Sequence, residues 1–232
     1  MNIKTELTRL LTDNGAGLIG VCSLDRLPGI KREFITGISI AVALEPEVIA
    51  GIKNGPTLDY HKECKSANIR LNELSKTASE RLLAKGFKAV FWKATDYKID
   101  KKHLSTDLPH KTLATMSGLG WIGKCALLVT KEFGSAVRLT SVLTDAPIEA
   151  DNKQVEISYC GDCMECVRRC PGKAPSGLNW SAGLFRDEFF NTFECRKAAR
   201  KLAKEMINVD ELLCGICISV CPYTQKYVKE KK

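Results

Sequence analysis

A chain of 232 residues that is 44% hydrophobic can bury a sizeable core in one large or two small domains, and none of its stretches reaches the roughly 18 uninterrupted apolar residues of a membrane span. Its formal charge of +8 is lysine-rich but lacks a basic stripe interleaved with aromatics, so charge alone does not make it a nucleic-acid binder. Eleven cysteines, an odd number, follow an N-terminal segment without an apolar signal core; this argues against a secreted disulfide framework and predicts a soluble, cytoplasmic protein with metal-binding thiolates.

In chain order, residues 3–13 predict a helix with Ile3, Leu7, Leu10 and Leu11 on one face, ended by Asn14-Gly15. Residues 17–22 predict a short buried strand, and Pro28-Gly29 a loop. Residues 37–44 are apolar almost throughout, as a central strand should be, until Glu45-Pro46 breaks the run. Asn54-Gly55-Pro56 is a turn signal. Residues 57–85 predict a long helix whose apolar side is Ile69, Leu71, Leu74, Ala78, Leu82 and Leu83, with Gly86 as its stop. Residues 88–92 predict another strand. A polar, irregular stretch carrying Asp107, His110 and Lys111 leads to a short helix at 112–117. The glycine-rich loop Gly118-Leu-Gly-Trp-Ile-Gly-Lys124 follows. Residues 126–130 and 137–143 predict two strands that pair as a hairpin around Phe133-Gly134. Alternating helices and strands indicate a helix-covered sheet up to about residue 150, with residues 146–152 as the boundary. Residues 151–232 are cysteine-rich, helical and too poor in apolar residues to fold well without a bound group at the core.

The cysteines of that second part are informative. Cys160-Gly-Asp-Cys163-Met-Glu-Cys166-Val-Arg-Arg-Cys170-Pro171 has the C-x2-C-x2-C-x3-C-P spacing of a bacterial-type [4Fe–4S] ferredoxin, in which the fourth thiolate serves the other cluster. Cys214, Cys217 and Cys221-Pro222 supply three more ligands, and Cys195 on a predicted helix completes the count. The spacing predicts two crossed sets, Cys160, Cys163, Cys166 and Cys221, then Cys170, Cys195, Cys214 and Cys217. Cys125, or no cysteine at all, is the alternative to the eighth ligand. Zinc also takes four-cysteine sites built from C-x2-C pairs, but explains neither the triple repeat nor the two C-P endings. Two clusters with their thiolates would bring the charge of +8 to about +4. Cys22, Cys64 and Cys125 remain and read as small buried hydrophobes.

The glycine loop, the following Leu127-Leu128, Leu143-Thr-Asp145 ahead of Pro147, Asp59-Tyr60-His61 and the cysteine pattern together resemble the signature of epoxyqueuosine reductases. The resemblance implies an α+β protein. Its N-terminal α/β sheet domain (1–150) would be nitroreductase- or corrinoid-domain-like, and a small helical two-cluster ferredoxin-like domain would follow (151–232). It implies two [4Fe–4S] clusters that pass electrons to cobalamin or another corrinoid held between the domains, and reduction of a modified tRNA nucleoside. The two-part plan is shared with reductive dehalogenases. In that frame Asp107 stands near the family's proton-donating aspartate.

The remaining candidates are read from the residues. His110, with an ordinary pKa near neutrality, is a second candidate proton donor, or a cap of the next helix. Gly118, Gly120, Trp121 and Lys124 are candidate cofactor contacts: the glycines admit a flat ligand or another chain segment, and Lys124 can neutralise a corrinoid side group or a phosphate. Trp121 reads as a domain-interface anchor before a stacking platform. His61 is expected to pack or cap on its helix. Arg168, Arg169 and Lys173 balance an anionic cluster or dock an acidic electron donor such as ferredoxin or flavodoxin. The expected function is an iron–sulfur reductase acting on a small molecule or a tRNA. The contrasting readings are a non-catalytic electron-transfer module and an RNA-binding protein with structural clusters.

Overall fold

The computed structural model describes residues 2–25, 27, 33–95, 100, 102, 104–106, 108–151 and 154–231. Asp107 and Pro28-Gly29 lie outside the described residues. The fold is mixed α/β with a small antiparallel sheet. Strand β2 (Thr36–Ala43) is buried along almost its whole length, as its apolar run predicts. It lies inside a four-stranded sheet of order β1-β2-β6-β3, with β1 at Leu18–Ser23, β3 at Ala89–Trp92 and β6 at Val137–Thr144. The register sets Leu18 opposite Ala41 and Ser23 opposite Thr36, and β3 runs antiparallel to β6 from Ala89↔Thr144 to Trp92↔Ser141.

Contacts group the chain into two compact units, each built from three stretches: Met1–Ala43, Ser66–Leu119 and Arg138–Val155 in the first; Leu44–Lys65, Gly120–Val137 and Glu156–Lys232 in the second. The sequence predicts a division near residue 150.

In the first unit, helix α1 (Ile3–Asp13) starts at Asn2, whose side chain accepts the Lys4 N–H at 3.0 Å, and it buries Leu7 and Leu11. Helix α4 (His110–Met116) packs on β1 and β2. Cys22, Leu24, Phe34, Leu113 and Leu143 form its buried core. Helix α4 begins two residues before the predicted start, directly after Pro109, whose extended backbone serves as the cap position.

Helix α3 (Leu58–Leu83) is the long helix predicted at 57–85, but not all of its expected apolar face is buried. Ala67, Leu71, Leu74, Ala78 and Leu82 are buried, whereas Ile69 and Leu83 are exposed. The buried set follows the three-to-four-residue helical period; Ile69 lies about 200° around the helix from Leu71 and Leu83 about 100° from Leu82.

In the second unit, Pro46 opens helix α2 (Pro46–Ala50) instead of only ending the preceding strand, as suits proline in a first helical turn. The predicted hairpin of 126–130 with 137–143 does not form. Strand β5 (Leu128–Val129) pairs instead with β4 (Trp121–Ile122), setting Trp121 opposite Val129. Thr130 and Gly134 exchange backbone hydrogen bonds of 2.8 and 3.1 Å, closing a tight loop, and Ala126 at φ 57° interrupts the extended run before Leu128. Five helices follow: α5 (Glu165–Arg169), α6 (Arg186–Phe189), α7 (Thr192–Ile207), α8 (Ile216–Ser219) and α9 (Pro222–Glu230). Asn191 caps α7 by accepting the N–H groups of Phe193 and Glu194, both at 3.1 Å. Separate stretches are joined by polar contacts. Tyr227 Oη donates to the Leu44 carbonyl at 3.0 Å, the Leu44 N–H to the Ala136 carbonyl at 2.9 Å, and the Ser135 N–H to Thr224 Oγ1 at 3.0 Å. Among the described residues no helix is long and apolar enough to cross a membrane.

Candidate metal centre

Local turns place the cysteines. The Cys163 N–H bonds the Cys160 carbonyl at 3.0 Å, closing the first turn of the motif, and α5 then carries Cys166 and ends at Cys170. There Pro171 forbids further helix, and the Ala174 N–H donates to Cys170 Sγ at 3.4 Å. Helix α8 carries Cys217. Cys221 occupies the N-cap of α9, where the Tyr223 and Thr224 N–H groups face its sulfur. A helix N-terminus of this kind favours a thiolate.

Cys125, Cys160, Cys163, Cys166, Cys217 and Cys221 line one cavity, together with Gly123 and Lys124. Cys160 and Cys221 interact electrostatically there. Cys170, Cys195 and Cys214 form a second group within electrostatic reach of one another. The set predicted for one cluster, Cys160, Cys163, Cys166 and Cys221, thus lines a common cavity. Cys217, predicted with the other set, lines that same cavity. Among the described residues no three His, Cys, Asp or Glu side chains gather around a point suited to a single ion.

Burial raises the thiol pKa values of Cys214 and Cys221, and that of Cys195 to about 11. The Cys166 thiol is raised by its contact with Cys125 and by burial. At Cys125 the Cys166 contact pulls the value down, but Cys217 and burial push it well above the ordinary range. Left to themselves these are neutral thiols; a cationic iron–sulfur core would displace their protons and convert the desolvation penalty into ligation. A Cβ on Gly123 would stand 2.9 Å from Val129 Cγ2 and in ordinary contact, 3.5 and 3.6 Å, with Cys125 Sγ and Cys160 Sγ. The donor chemistry of the cavity fits a thiolate-held inorganic group.

The other candidates are each engaged within their own unit. His110 is buried: its Nδ1 lies 2.9 Å from Ser141 Oγ and its Nε2 3.4 Å from the Lys93 carbonyl. Burial pushes its pKa down to about 4, so the imidazole is neutral at pH 7. Gly118, at φ 78°, stops α4, its N–H bonding the Thr115 carbonyl while the Leu119 N–H bonds that of Ala114. Trp121 is buried edge-on to Tyr159 and Tyr223, at 5.1 and 4.8 Å between ring centroids. His61 pairs with Glu211 at 3.1 Å, and Lys65 joins the same carboxylate at 3.1 Å. Arg168 pairs with Glu165, and Arg169 donates to the Lys53 carbonyl and Asn54 Oδ1 at 3.4 and 3.3 Å. Cys125 and Lys124 line the cysteine cavity; the sequence offers Cys125 as an alternative ligand and Lys124 as a cofactor contact, but not their place in one wall with Cys160, Cys163, Cys166, Cys217 and Cys221.

Residues 159–224 match the family described as a 4Fe-4S double cluster binding domain. An epoxyqueuosine reductase of Prochlorococcus marinus is 30% identical over 211 residues, covering 87% of this chain and 60% of that protein. The chain is similar to epoxyqueuosine reductases. Its fold is shared with an epoxyqueuosine reductase solved with an epoxyqueuosine-modified tRNA stem loop (TM-score 0.60, 20% identity, covering 96% of this chain and 65% of that one). It is shared also with a reductive dehalogenase whose structure suggests a B12-dependent mechanism (TM-score 0.71, 15% identity, covering 97% of this chain and 33% of that one). The epoxyqueuosine-reductase-like chain spans less than two thirds of the length of these proteins.

Proposed function

We propose that this chain is an iron–sulfur reductase of the epoxyqueuosine-reductase-like class, passing electrons through two [4Fe–4S] clusters to an acceptor. The observation that carries this is the cavity walled by cysteines from both C-P motifs, inside the stretch that matches a double-cluster domain. Cys160, Cys163, Cys166 and Cys221 would hold one cluster, and Cys170, Cys195, Cys214 and Cys217 the other. When bound, such clusters supply one-electron transfer. The protein's part is to keep the sulfurs half-buried and oriented: Cys221 by the α9 N-terminus, Cys170 by the Ala174 N–H. A corrinoid is the acceptor to test, on the resemblance to epoxyqueuosine reductases and on the B12-dependent dehalogenase that shares the fold. An epoxyqueuosine-modified tRNA is the substrate to test first, since a protein of this fold has been solved with such a stem loop. The exposed basic residues Lys197, Arg200, Lys201 and Lys204 on α7, which also carries Cys195, suit an acidic electron donor of the flavodoxin or ferredoxin type.

Anaerobic purification with cobalamin present tests this reading. Iron, acid-labile sulfide and a bound corrinoid with its visible absorption support the reductase. Clusters that reduce reversibly while no corrinoid binds support an electron-transfer module. Zinc in place of iron and sulfide overturns both.

A further inference from the structure

Lys124 is 3% exposed, a rare condition for a lysine. Among the described residues its ammonium meets no carboxylate. The ammonium donates to Met164 Sδ at 3.4 Å, and a thioether is a weak acceptor. A buried ammonium needs an anion, and among the described residues no carboxylate supplies one. The residue cannot easily swing away to solvent. The Gly123 N–H bonds the Leu127 carbonyl at 2.9 Å and the Ala126 N–H returns to the Gly123 carbonyl at 2.8 Å, so a tight turn holds residue 124 in place. Behind that turn, β4 and β5 are buried and paired. What Lys124 does face is the cysteine cavity: it lines the wall, and it lies near enough to Cys166 to act on that thiol electrostatically.

We infer that Lys124 is the built-in counter-charge of the cluster in this cavity and raises that cluster's reduction potential relative to a neutral residue at the same position. The inference rests on the proposed cluster ligation. A [4Fe–4S] core with four thiolates carries a charge of about −2 when oxidised and about −3 after gaining one electron. A fixed positive charge in a poorly screened site stabilises the more negative state more strongly, so reduction becomes easier. Cys170, Cys195 and Cys214 form a separate group, so the effect belongs to one cluster of the two.

The test is an EPR-monitored redox titration of the anaerobically purified full chain, wild type against Lys124→Gln, with iron and sulfide measured on the same samples. At unchanged iron and sulfide, one potential should move negative in Lys124→Gln while the other stays, and Lys124→Arg should keep the wild-type value. Both potentials unchanged in Lys124→Gln at full iron would overturn the inference and leave the cluster reading intact. Absence of iron and sulfide from the wild type would instead be the failure of the cluster reading. Should Lys124→Gln lose iron, Lys124→Arg and Lys124→Met decide: iron kept by Arg and lost by Met supports a required positive charge, and iron lost by both overturns it.

Discussion

Gly120 abuts the backbone of Val129 so closely that a Cβ on residue 120 would stand 2.1 Å from the Val129 carbonyl oxygen. The contact is backbone against backbone, so no side-chain rotation relieves it. Gly120→Ala should therefore separate β4 from β5 and disturb the Gly123–Cys125 wall of the cysteine cavity. A stability loss of about 2 kcal/mol or more is expected, in the upper range of overpacking costs. Iron content should fall with it. Urea unfolding and iron assay of the anaerobically prepared variant check this; wild-type values in both would show that the strands tolerate the extra methyl group.

The two thiol groups can be told apart by iron content. Cys195→Ser removes a sulfur that lies with Cys170 and Cys214, and should lower iron toward half the full complement. Cys125→Ala should retain full iron if Cys125 only borders the cavity. The reverse pattern would make Cys125 the eighth ligand.

His110 links stability to pH. Its folded-state pKa of about 4 lies below the ordinary 6.5 because burial disfavours the imidazolium. Between these values the unfolded chain binds a proton that the folded chain refuses, so stability falls as pH falls through that window. The loss from pH 7 to pH 5 is about 2 kcal/mol. His110→Gln should flatten the stability profile over this range in anaerobic urea unfolding. An unchanged slope would show that His110 is not the group responsible.

Thr224 is fully buried, and its Oγ1 accepts the Ser135 N–H at 3.0 Å. Thr224→Val keeps the shape but leaves that N–H unmet, at a cost of about 1–3 kcal/mol. Thr224→Ser keeps the acceptor and should recover most of the loss. Equal destabilisation of the two variants in urea would point to lost packing by the methyl group.

Much of this architecture is legible in local pattern. Helix α1, strand β2 and the turns around Cys160–Cys170 follow from period, caps and C-P endings, because neighbours along the chain decide them. The hairpin prediction for 126–130 failed for a comparable reason: two apolar runs beside a glycine turn satisfy the pattern, but pairing depends on which strand competes, and β4 inside the glycine loop was too short to register.

By itself the sequence determined the pattern of the C-terminal part: seven cysteines at C-x2-C and C-x3-C-P spacing and two proline stops, in the stretch that matches a 4Fe-4S double cluster binding domain. Only the tertiary structure decided what surrounds those sulfurs. Gly123, Lys124 and Cys125 lie more than thirty residues from the first cysteine of the motif, yet they form part of the same wall. Spacing along a chain prescribes which ligands a turn can present. The burial of a charge at Lys124, and the sulfurs that stand near it, depend on packing between distant segments, which no local pattern encodes.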